Sequence, residues 1–508
     1  MWSRREALGL VAGAGAWFTL AGCTSDADNS EQSAESSTAD ALTGADSVGA
    51  TGDQDVLALR LWAEPAAAEI VAGTTTDVYS FGAEVTDGDP SAVTPIDSYL
   101  GPTLHFRQGQ RVRVAFENRL PDESIVHWHG LVVPQDQDGQ PSDAIEAGET
   151  YNYDFVVTNE PGTYWYHPHP HGKTGEQVYR GLAGLIVVHG DEPDLPSGDN
   201  DVALVLQDRT LGADGQLRYV SSMHDTMAGF VGDTLVTNGV ADYTVDVRRE
   251  AYRIRLLNGA NSRTQFLSWS NDDPVTVIAT DGSLLPEPVN APGLVITPAQ
   301  RTDIWVDFSS FEPGTTIALH AADLFVENGA GGAPALGGAV AATFRVIDSP
   351  AARGTLPSSL GSEPDFGPAD AINPSSPKQF TLSTRRMAHW INDLQWEGRS
   401  AVELESVAAD TVELWEFINQ SPMAHPMHLH GRPFRVTGRS WDDDRLAVAW
   451  QTIEAGVIET GLRDTVLVWP GQRVQIAVPI AEHLGYFLYH CHILEHEDSG
   501  MMRNFLVT

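Results

Sequence analysis

Short apolar–polar alternations run along the chain from Val56 onward, and they limit the folds that it can adopt. Examples occupy residues 111–116, 252–257 and 473–478, where apolar side chains recur at about every second position. Such a period places alternate side chains on opposite faces of a strand. Gly, Pro, Asn and Asp interrupt these runs, and long helical periodicity is nearly absent. The pattern predicts an all-β chain of antiparallel strands packed as sandwiches.

The length of 508 residues is enough for about three domains of roughly 100–200 residues each. One boundary is expected near residues 190–200, where residues 190–193 (Gly-Asp-Glu-Pro) end an apolar strand. Another is expected within 348–378, which is rich in Pro, Ser, Gly and Asp. Each segment also has a strand that leads to an asparagine, namely Asn118, Asn258 or Asn419. We therefore predict three domains, at 56–190, 191–350 and 375–508.

The charge balance is strongly acidic, with 69 acidic and 30 basic residues and a formal net charge of -39. Such a surface repels phosphates, so we expect no nucleic-acid partner. The acidity could attract cationic substrates, or it could be an adaptation to concentrated salt, which screens charge repulsion. Because the acidic residues are spread along the whole chain, salt adaptation is the favoured interpretation, with an archaeal halophile as the expected source.

The first 23 residues are predicted to be an export signal. Paired arginines at 4–5 precede an apolar run at 8–21 that is too short for a membrane-spanning helix. The arginines resemble a twin-arginine signal, and residues 20–23 (Leu-Ala-Gly-Cys) resemble a lipobox in which Cys23 becomes lipidated. The alternative is a free cysteine in an uncleaved helix. Residues 24–55 predict a flexible acidic tether. We expect an exported protein anchored by lipid to the outer face of the cell membrane.

Four short motifs hold 11 of the 17 histidines of the chain. They are His-Trp-His-Gly at 127–130, His-Pro-His-Pro-His-Gly at 167–172, His-Pro-Met-His-Leu-His at 425–430, and His-Cys-His at 490–492 with the following His496 and Met501. One His-x-His pair alone is more often an ordinary surface or core feature than a metal site. Four of them in one chain predict metal binding.

The ligand set indicates which metal is bound. Imidazole and thiolate groups bind Cu, Zn, Fe and Ni. A structural zinc site would show paired Cys or Cys–His spacings, whereas the chain has only two cysteines, Cys23 and Cys491. Each of these has its own explanation, so no disulfide is expected. Two histidines, one thiolate and a weak methionine ligand form a blue copper site, and His425, Cys491, His496 and Met501 supply this set.

The motif at 490–492 is expected to join two metal centres. Neighbouring side chains on a strand point to opposite faces. Cys491 would therefore face the blue copper ion, while His490 and His492 would face further copper ions behind the strand.

Together with residues 162–166 (Gly-Thr-Tyr-Trp-Tyr), 256–259 (Leu-Leu-Asn-Gly) and 496–502, these motifs resemble multicopper oxidases of the bacterial laccase and cuprous-oxidase branch over about residues 56–508. The resemblance implies three consecutive cupredoxin-like Greek-key sandwiches. It also implies four copper ions per chain, with a trinuclear cluster between the first and third domains and a middle domain that acts as a spacer.

The resemblance also implies a role for each ligand. The type 1 ligands are His425, Cys491, His496 and Met501, since the ten-residue step from Cys491 favours Met501 over Met502. The type 2 ligands are His127 and His428. The type 3 ligands are His129, His167, His169, His430, His490 and His492. His171 is left over and is expected to lie beside the ligands rather than to bind copper.

The implied activity is the reduction of dioxygen to water with electrons taken from a small reducing substrate. Asp138 and Glu497 resemble the family's proton-relay carboxylates. The competing interpretation of each, in a chain with 69 acidic residues, is ordinary surface charge.

Two substrate classes compete. Phenols and aromatic amines would make the protein laccase-like, whereas Cu(I) would make it a cuprous oxidase for copper tolerance. Dedicated cuprous oxidases carry a methionine-rich insertion over the blue site, while residues 380–392 here run on directly with Met387 as their one methionine. We therefore expect an uncovered blue site and laccase-like activity. A monomeric protein is also expected. A non-enzymatic cupredoxin scaffold would lack some ligands, and all of them are present.

Overall fold

The computed structural model describes residues 55–508 except 221, 325–338, 443 and 481–482. The predicted export signal, Cys23 and residues 24–54 of the predicted tether lie outside the described residues. No helix in the described part of the chain has the length and apolar character needed to cross a membrane.

The first sandwich pairs a four-stranded sheet, β2-β1-β5-β7, with a five-stranded sheet, β3-β4-β9-β8-β6. Its elements are β1 (Val56–Val71), β2 (Thr74–Asp87), β3 (Val93–Thr94), β4 (Thr103–Arg107), β5 (Arg111–Asn118), β6 (Val126–His129), β7 (Thr150–Val156), β8 (Gly162–Pro168), α1 (Thr174–Arg180) and β9 (Gly184–His189). In β5 every second residue is buried, as its alternating sequence predicts.

The second sandwich consists of a six-stranded sheet, β11-β10-β13-β18-β15-β16, and a five-stranded sheet, β12-β20-β19-β14-β17. Its elements are β10 (Asp201–Arg209), α2 (Met223–Ala228), β11 (Thr234–Thr237), β12 (Thr244–Val247), β13 (Ala251–Asn258), β14 (Gln265–Trp269), β15 (Val275–Thr280), β16 (Ser283–Ala291), β17 (Leu294–Ile296), β18 (Arg301–Asp307), β19 (Thr316–Asp323) and β20 (Ala339–Val346).

The third sandwich has two five-stranded sheets, β22-β21-β24-β28-β26 and β23-β30-β29-β25-β27. Its elements are β21 (Lys378–Arg385), β22 (Ala388–Ile391), β23 (Ser406–Val407), β24 (Thr411–Asn419), β25 (His425–Leu429), β26 (Arg435–Trp441), α3 (Asp444–Gln451), β27 (Thr465–Val468), β28 (Gln472–Ile480), β29 (Gly485–Cys491), α4 (Leu494–Asp498) and β30 (Met502–Val507). Short 3-10 helices occupy Pro90–Ala92, Gln135–Gln137, Pro141–Asp143, Gly198–Asn200, Glu403–Glu405 and Glu454–Gly456.

The three sandwiches repeat one strand arrangement. The first strand of each pairs in parallel with a later strand: β1 with β5, β10 with β13, and β21 with β24. Asn118, Asn258 and Asn419 end β5, β13 and β24. Each side chain donates to two backbone carbonyls and accepts from the amide two residues later. These bonds fix the turn after the strand, which explains the recurring asparagine.

The prediction of an all-β fold built from sandwiches is confirmed. Large apolar side chains fill the space between each pair of sheets, for example Phe106 and Trp128 in the first and Phe417 and Phe505 in the third. No strand or helix lies between the last strand of the second sandwich, at Val346, and Lys378. The exact domain boundaries at 56–190, 191–350 and 375–508 stay a prediction.

Candidate metal centres

Strand β29 ends between two groups of side chains that could hold metal ions. The Cys491 Sγ lies 3.4 Å from His425 Nδ1 and 3.6 Å from His496 Nδ1, and all three residues are buried. The rings of His490 and His492 point instead toward other histidines. The predicted division of this motif between two faces is therefore observed.

The outer nitrogens of the two histidines beside Cys491 are held in place. His425 Nε2 lies 2.7 Å from Ser421 Oγ, and His496 Nε2 lies 3.2 Å from the carbonyl oxygen of Met227. These contacts leave the Nδ1 atoms to face the thiol. Burial raises the pKa of the Cys491 thiol, so a bound cation is needed to favour the thiolate.

The two candidate methionines differ in their surroundings. Met501 packs in the same buried apolar cluster as Cys491. Met502 begins β30 and pairs with His490. The place of Met501 in this cluster is compatible with its predicted role as the axial ligand.

Eight further histidines form one buried group between the first and third sandwiches. They are His127, His129, His167, His169, His428, His430, His490 and His492. Strand pairing brings them together, because His127 lies opposite His167 between β6 and β8, and His428 lies opposite His490 between β25 and β29. The two halves meet in close ring contacts, with centroid distances of 3.8 Å for His127–His430 and 3.7 Å for His129–His428.

The hydrogen bonds of this eight-histidine group suit metal binding. Four rings donate from Nδ1 to backbone carbonyls: His127 to Asp138 (2.7 Å), His428 to Asp464 (2.8 Å), His167 to Pro168 (2.9 Å) and His490 to Cys491 (3.1 Å). Such a bond fixes the tautomer and leaves the other nitrogen able to bind a metal. The Nε2 atoms of His127 and His428 and both nitrogens of His492 have no hydrogen-bond partner. Buried nitrogens without partners are costly unless a ligand satisfies them.

The protonation states agree with this interpretation. Burial lowers the pKa of His490 to about 3 and holds the pKa of His428 and His430 well below the usual value. Neutral imidazole is the form that binds metals. Ligand atoms come within 4.8 Å of one another in the sets His127–His428–His430, His127–His129–His167, His169–His430–His490 and His425–Cys491–His496. These donors fit copper.

The two predicted proton-relay carboxylates are both buried beside these histidines. Asp138 Oδ2 lies 2.9 Å from His430 Nδ1. The two oxygens of Glu497 lie 3.5 Å from His169 Nδ1 and 3.2 Å from His490 Nδ1. Burial holds the pKa of Glu497 well above its usual value, so this carboxyl retains a proton more readily than a surface carboxyl. Neither residue belongs to the acidic surface.

His171 lies apart from the eight-histidine group. Its side chain is exposed, and its ring lies 4.5 Å from that of Trp396. Its described ring contact is with Trp396 and not with a predicted ligand, and the absence of a ligand role stays a prediction.

The expectation of an uncovered blue site is wrong. His496 is fully buried, and the ring of His389 stacks on it with centroids 3.7 Å apart. The Nε2 atoms of both rings lie beside the carbonyl of Met227 near the end of α2, at 3.1 and 3.2 Å. The sequence did not reveal this cover, because His389 stands alone between Ala388 and Trp390 and a backbone carbonyl leaves no sequence signal.

Sequence reasoning also missed two charged residues beside the eight-histidine group, Asp464 and Arg301. Asp464 Oδ1 lies 3.1 Å from His129 Nε2 and 2.8 Å from Arg301 Nη1. Neither stands in a histidine motif. The sequence offers one hint, the glycine that ends the motif at 127–130. The structure explains this glycine, because a Cβ at Gly130 would lie 2.6 Å from Asp464 Oδ2 and 2.9 Å from Arg301 Nη2.

Comparison with known proteins gives consistent matches. Residues 83–193 and 371–508 each match a family description named multicopper oxidase. The chain is 30% identical over 416 residues to the multicopper oxidase mco of Staphylococcus epidermidis, covering 80% of this chain and 82% of that protein. It is 33% identical over 467 residues to a laccase of Haloferax volcanii, with coverage of 81% and 76%. The crystal structure of McoA from Aquifex aeolicus superposes with a TM-score of 0.75 at 33% identity, covering 89% of this chain and 96% of that one.

Proposed function

This chain belongs to the multicopper oxidase family, and on that premise we propose that it couples the one-electron oxidation of phenols and aromatic amines to the four-electron reduction of dioxygen to water. The observation that carries the proposal is the end of β29, where Cys491 faces one buried set of ligands and its two neighbours face another. Family membership makes the protein a copper-dependent oxidoreductase that uses dioxygen.

We assign the ligands as the sequence predicts. His425, Cys491, His496 and Met501 would hold the type 1 ion. His127 and His428 would hold the type 2 ion. His129, His167, His169, His430, His490 and His492 would hold the type 3 pair. When bound, copper supplies one-electron redox steps and stores electrons until dioxygen can be fully reduced.

The residues of the chain orient the ligands and hold protons. Backbone carbonyls fix the tautomers of His127 and His428, so that their Nε2 atoms stay directed into the eight-histidine group. Asp138 and Glu497 contact outer ring nitrogens of this group from two directions. We propose that these two carboxyls deliver the protons that water formation consumes.

The cover over His496 bears on the choice of electron donor. A donor cannot touch His496 directly, because His389 and the Met227 carbonyl enclose its ring. Two methionines on the covering elements are exposed, Met223 on α2 at 66% and Met387 beside β22 at 62%. Soft thioethers suit Cu(I), so these side chains support the second candidate function, a cuprous oxidase in copper tolerance.

Steady-state kinetics would separate the two donor classes. We expect the copper-loaded protein to consume dioxygen with a bulky phenol and with Cu(I). A higher kcat/KM for the phenol supports the laccase-like assignment, and a strong preference for Cu(I) reverses the ranking.

The copper assignment has its own test. We expect an intense blue absorption in the copper-loaded protein and none in a Cys491→Ser variant, since the thiolate gives a blue copper site its colour. Dioxygen uptake without release of peroxide would accompany it. A colourless copper-loaded protein of native fold would refute the assignment.

Location and assembly are further proposals. The paired arginines and the 20–23 sequence support twin-arginine export and a lipid on Cys23, which would place the enzyme on the outer face of the cell membrane. The net charge of -39 supports a halophilic origin. We also propose a monomer. Mass spectrometry of protein from membranes would reveal the lipid, and light scattering in high salt would give the mass.

A further inference from the structure

The guanidinium group of Arg301 lies where the three sandwiches meet, and each of its N–H donors has a hydrogen-bond acceptor. Arg301, the first residue of β18, is fully buried. Its Nε donates to the carbonyl of Thr163 in the first sandwich, at 3.1 Å. Its Nη atoms donate to the carbonyls of Ala299 and Asp281 in the second sandwich and to both carboxylate oxygens of Asp464 in the third. An arginine has five N–H donors, and each has an acceptor here.

Asp464 connects this guanidinium to two candidate copper ligands. Its Oδ1 lies 3.1 Å from His129 Nε2, so the opposite nitrogen of that ring, Nδ1, faces His167. Its backbone carbonyl accepts a hydrogen bond from His428 Nδ1 at 2.8 Å. The rings of His129 and His428 stack 14° from parallel. The position of Asp464 therefore sets the orientation of one predicted type 3 ligand and one predicted type 2 ligand.

The charges around the Arg301–Asp464 ion pair balance. Asp281 accepts from the backbone N–H of Arg301 at 2.9 Å and lies 3.4 Å from Arg463 Nη1. Two arginines and two aspartates thus meet with no net formal charge. Buried ion pairs gain little net stability over apolar packing, and their best-supported use is to specify one arrangement. Gly130 leaves room for this arrangement, because a Cβ would collide with both Arg301 and Asp464.

We propose that Arg301, from the middle domain, is a positioning residue for the trinuclear site and acts through Asp464 on His129 and His428. The inference rests on the copper roles proposed for those two histidines. The middle domain is then more than a spacer. It supplies the Arg301 guanidinium group, which holds the Asp464 carboxylate that orients the ligands. Lysine cannot replace it, because a single ammonium group cannot engage two carboxylate oxygens and three carbonyls in one plane.

The test measures copper occupancy rather than turnover. In Arg301→Met, we expect the type 2 electron paramagnetic resonance signal per blue site to fall at least threefold. The blue absorption per chain should be retained, because Arg301 has no contact with His425, Cys491 or His496. Arg253→Met is the matched control: Arg253 is also buried in the second sandwich and paired with a buried aspartate, Asp303, but it contacts no histidine. In Arg253→Met, the ratio of the type 2 signal to the blue absorption should equal that of the unmodified protein.

An Arg301→Met variant with four copper ions and an unchanged type 2 signal would overturn the proposal. If that variant does not fold, Arg301→Lys decides: we expect a lower type 2 content and altered type 2 hyperfine splitting, and no change in either would overturn it. The unmodified protein gives the reference. If the unmodified protein lacks a type 2 signal, the copper assignment itself is wrong. If the unmodified protein has this signal and the Arg301 variant has the same signal, only the role proposed for Arg301 is wrong.

Discussion

Two carboxyl groups of this protein that the sequence motifs single out, those of Asp138 and Glu497, are buried beside the eight-histidine group. Most of its 69 acidic residues contribute to the general negative charge. Asp138 and Glu497 are instead enclosed and lie against the outer nitrogens of the eight-histidine group. A carboxyl in such a place can pass a proton to the ring nitrogen that it contacts, which is the step that the proposed relay requires.

Replacing Asp138 with Asn tests this role. The amide keeps the size of the side chain but cannot carry a proton to the site, so we expect dioxygen reduction to slow by about a hundredfold or more. The blue absorption should persist, since Asp138 has no contact with Cys491. Asp136→Asn is the control, because that neighbouring side chain is exposed. Unchanged turnover in Asp138→Asn would remove the relay assignment.

A histidine pair outside the candidate metal centres, His105 and His189, predicts a pH dependence of stability. His105 Nδ1 lies 3.0 Å from His189 Nε2, and burial lowers the pKa of His105 to about 4. A histidine with a lowered pKa in the folded protein stabilises it above its unfolded pKa of about 6.5, and this contribution is lost as the pH falls toward 4.

We therefore expect the melting temperature of the unmodified protein to fall more steeply between pH 6.5 and 4 than that of His105→Gln, which cannot be protonated. Scanning calorimetry at fixed salt would measure the difference. His224→Gln, at an exposed histidine of α2, should behave like the unmodified protein. Parallel curves for His105→Gln and the unmodified protein would contradict the prediction.

At the scale of elements, the hairpin of β21 and β22 and the helix α2 form the cover of the proposed type 1 site. His389 on the hairpin lies between Thr384, at 2.9 Å from its Nδ1, and the Met227 carbonyl beside its Nε2. These two contacts hold the ring flat against His496. The cover therefore comes from two different sandwiches.

Shortening this side chain should change donor selectivity. In His389→Ala we expect the ratio of kcat/KM for a bulky phenol to that for a small one-electron donor to rise at least about threefold, which corresponds to about 0.7 kcal/mol. The reason is that removal of the ring opens the face of His496. Thr384→Val is the control, because it removes a hydrogen bond and keeps the ring. A constant ratio in His389→Ala would show that donors approach elsewhere.

Much of the fold follows from local sequence, and part of the site does not. The alternation in β5 and the asparagines that end three equivalent strands are local properties, so the sandwiches and their repetition could be predicted. The clustering of the candidate metal ligands could be predicted, because metal binding requires several donor side chains and the motifs supply them as closely spaced histidines. The roles of Arg301, Asp464 and the Met227 carbonyl depend on how sandwiches meet, and no spacing along the chain encodes such a contact.

At the scale of the whole molecule, the dominant property is the net charge of -39. Repulsion among so many carboxylates destabilises the compact state when few counterions are present. The screening length is about 30 Å at 0.01 M salt and about 3 Å at 1 M. Exposed pairs such as Arg345–Asp246 cannot offset this repulsion, since such pairs contribute little.

We expect the melting temperature to rise steadily with potassium chloride and the protein to lose structure and activity on dialysis to low salt. Circular dichroism and dioxygen uptake would follow the two changes. Sucrose at matched osmolality is the control, because it is excluded from protein surfaces but does not screen charge. It should restore much less structure and activity than potassium chloride does. Full retention of structure and activity in dilute buffer would contradict salt adaptation.

The composition of the eight-histidine group constrains the order of synthesis, folding and copper uptake. Four of its members lie between residues 127 and 169, and the other four lie between 428 and 492. Synthesis at about 5–20 residues per second separates the two halves by roughly 15–60 s. During that interval the first half has no partner, and even afterwards the sandwiches must dock around Arg301. Copper uptake at the proposed trinuclear site would therefore be among the last steps of maturation. A full complement of copper would then indicate a chain that is both complete and correctly assembled.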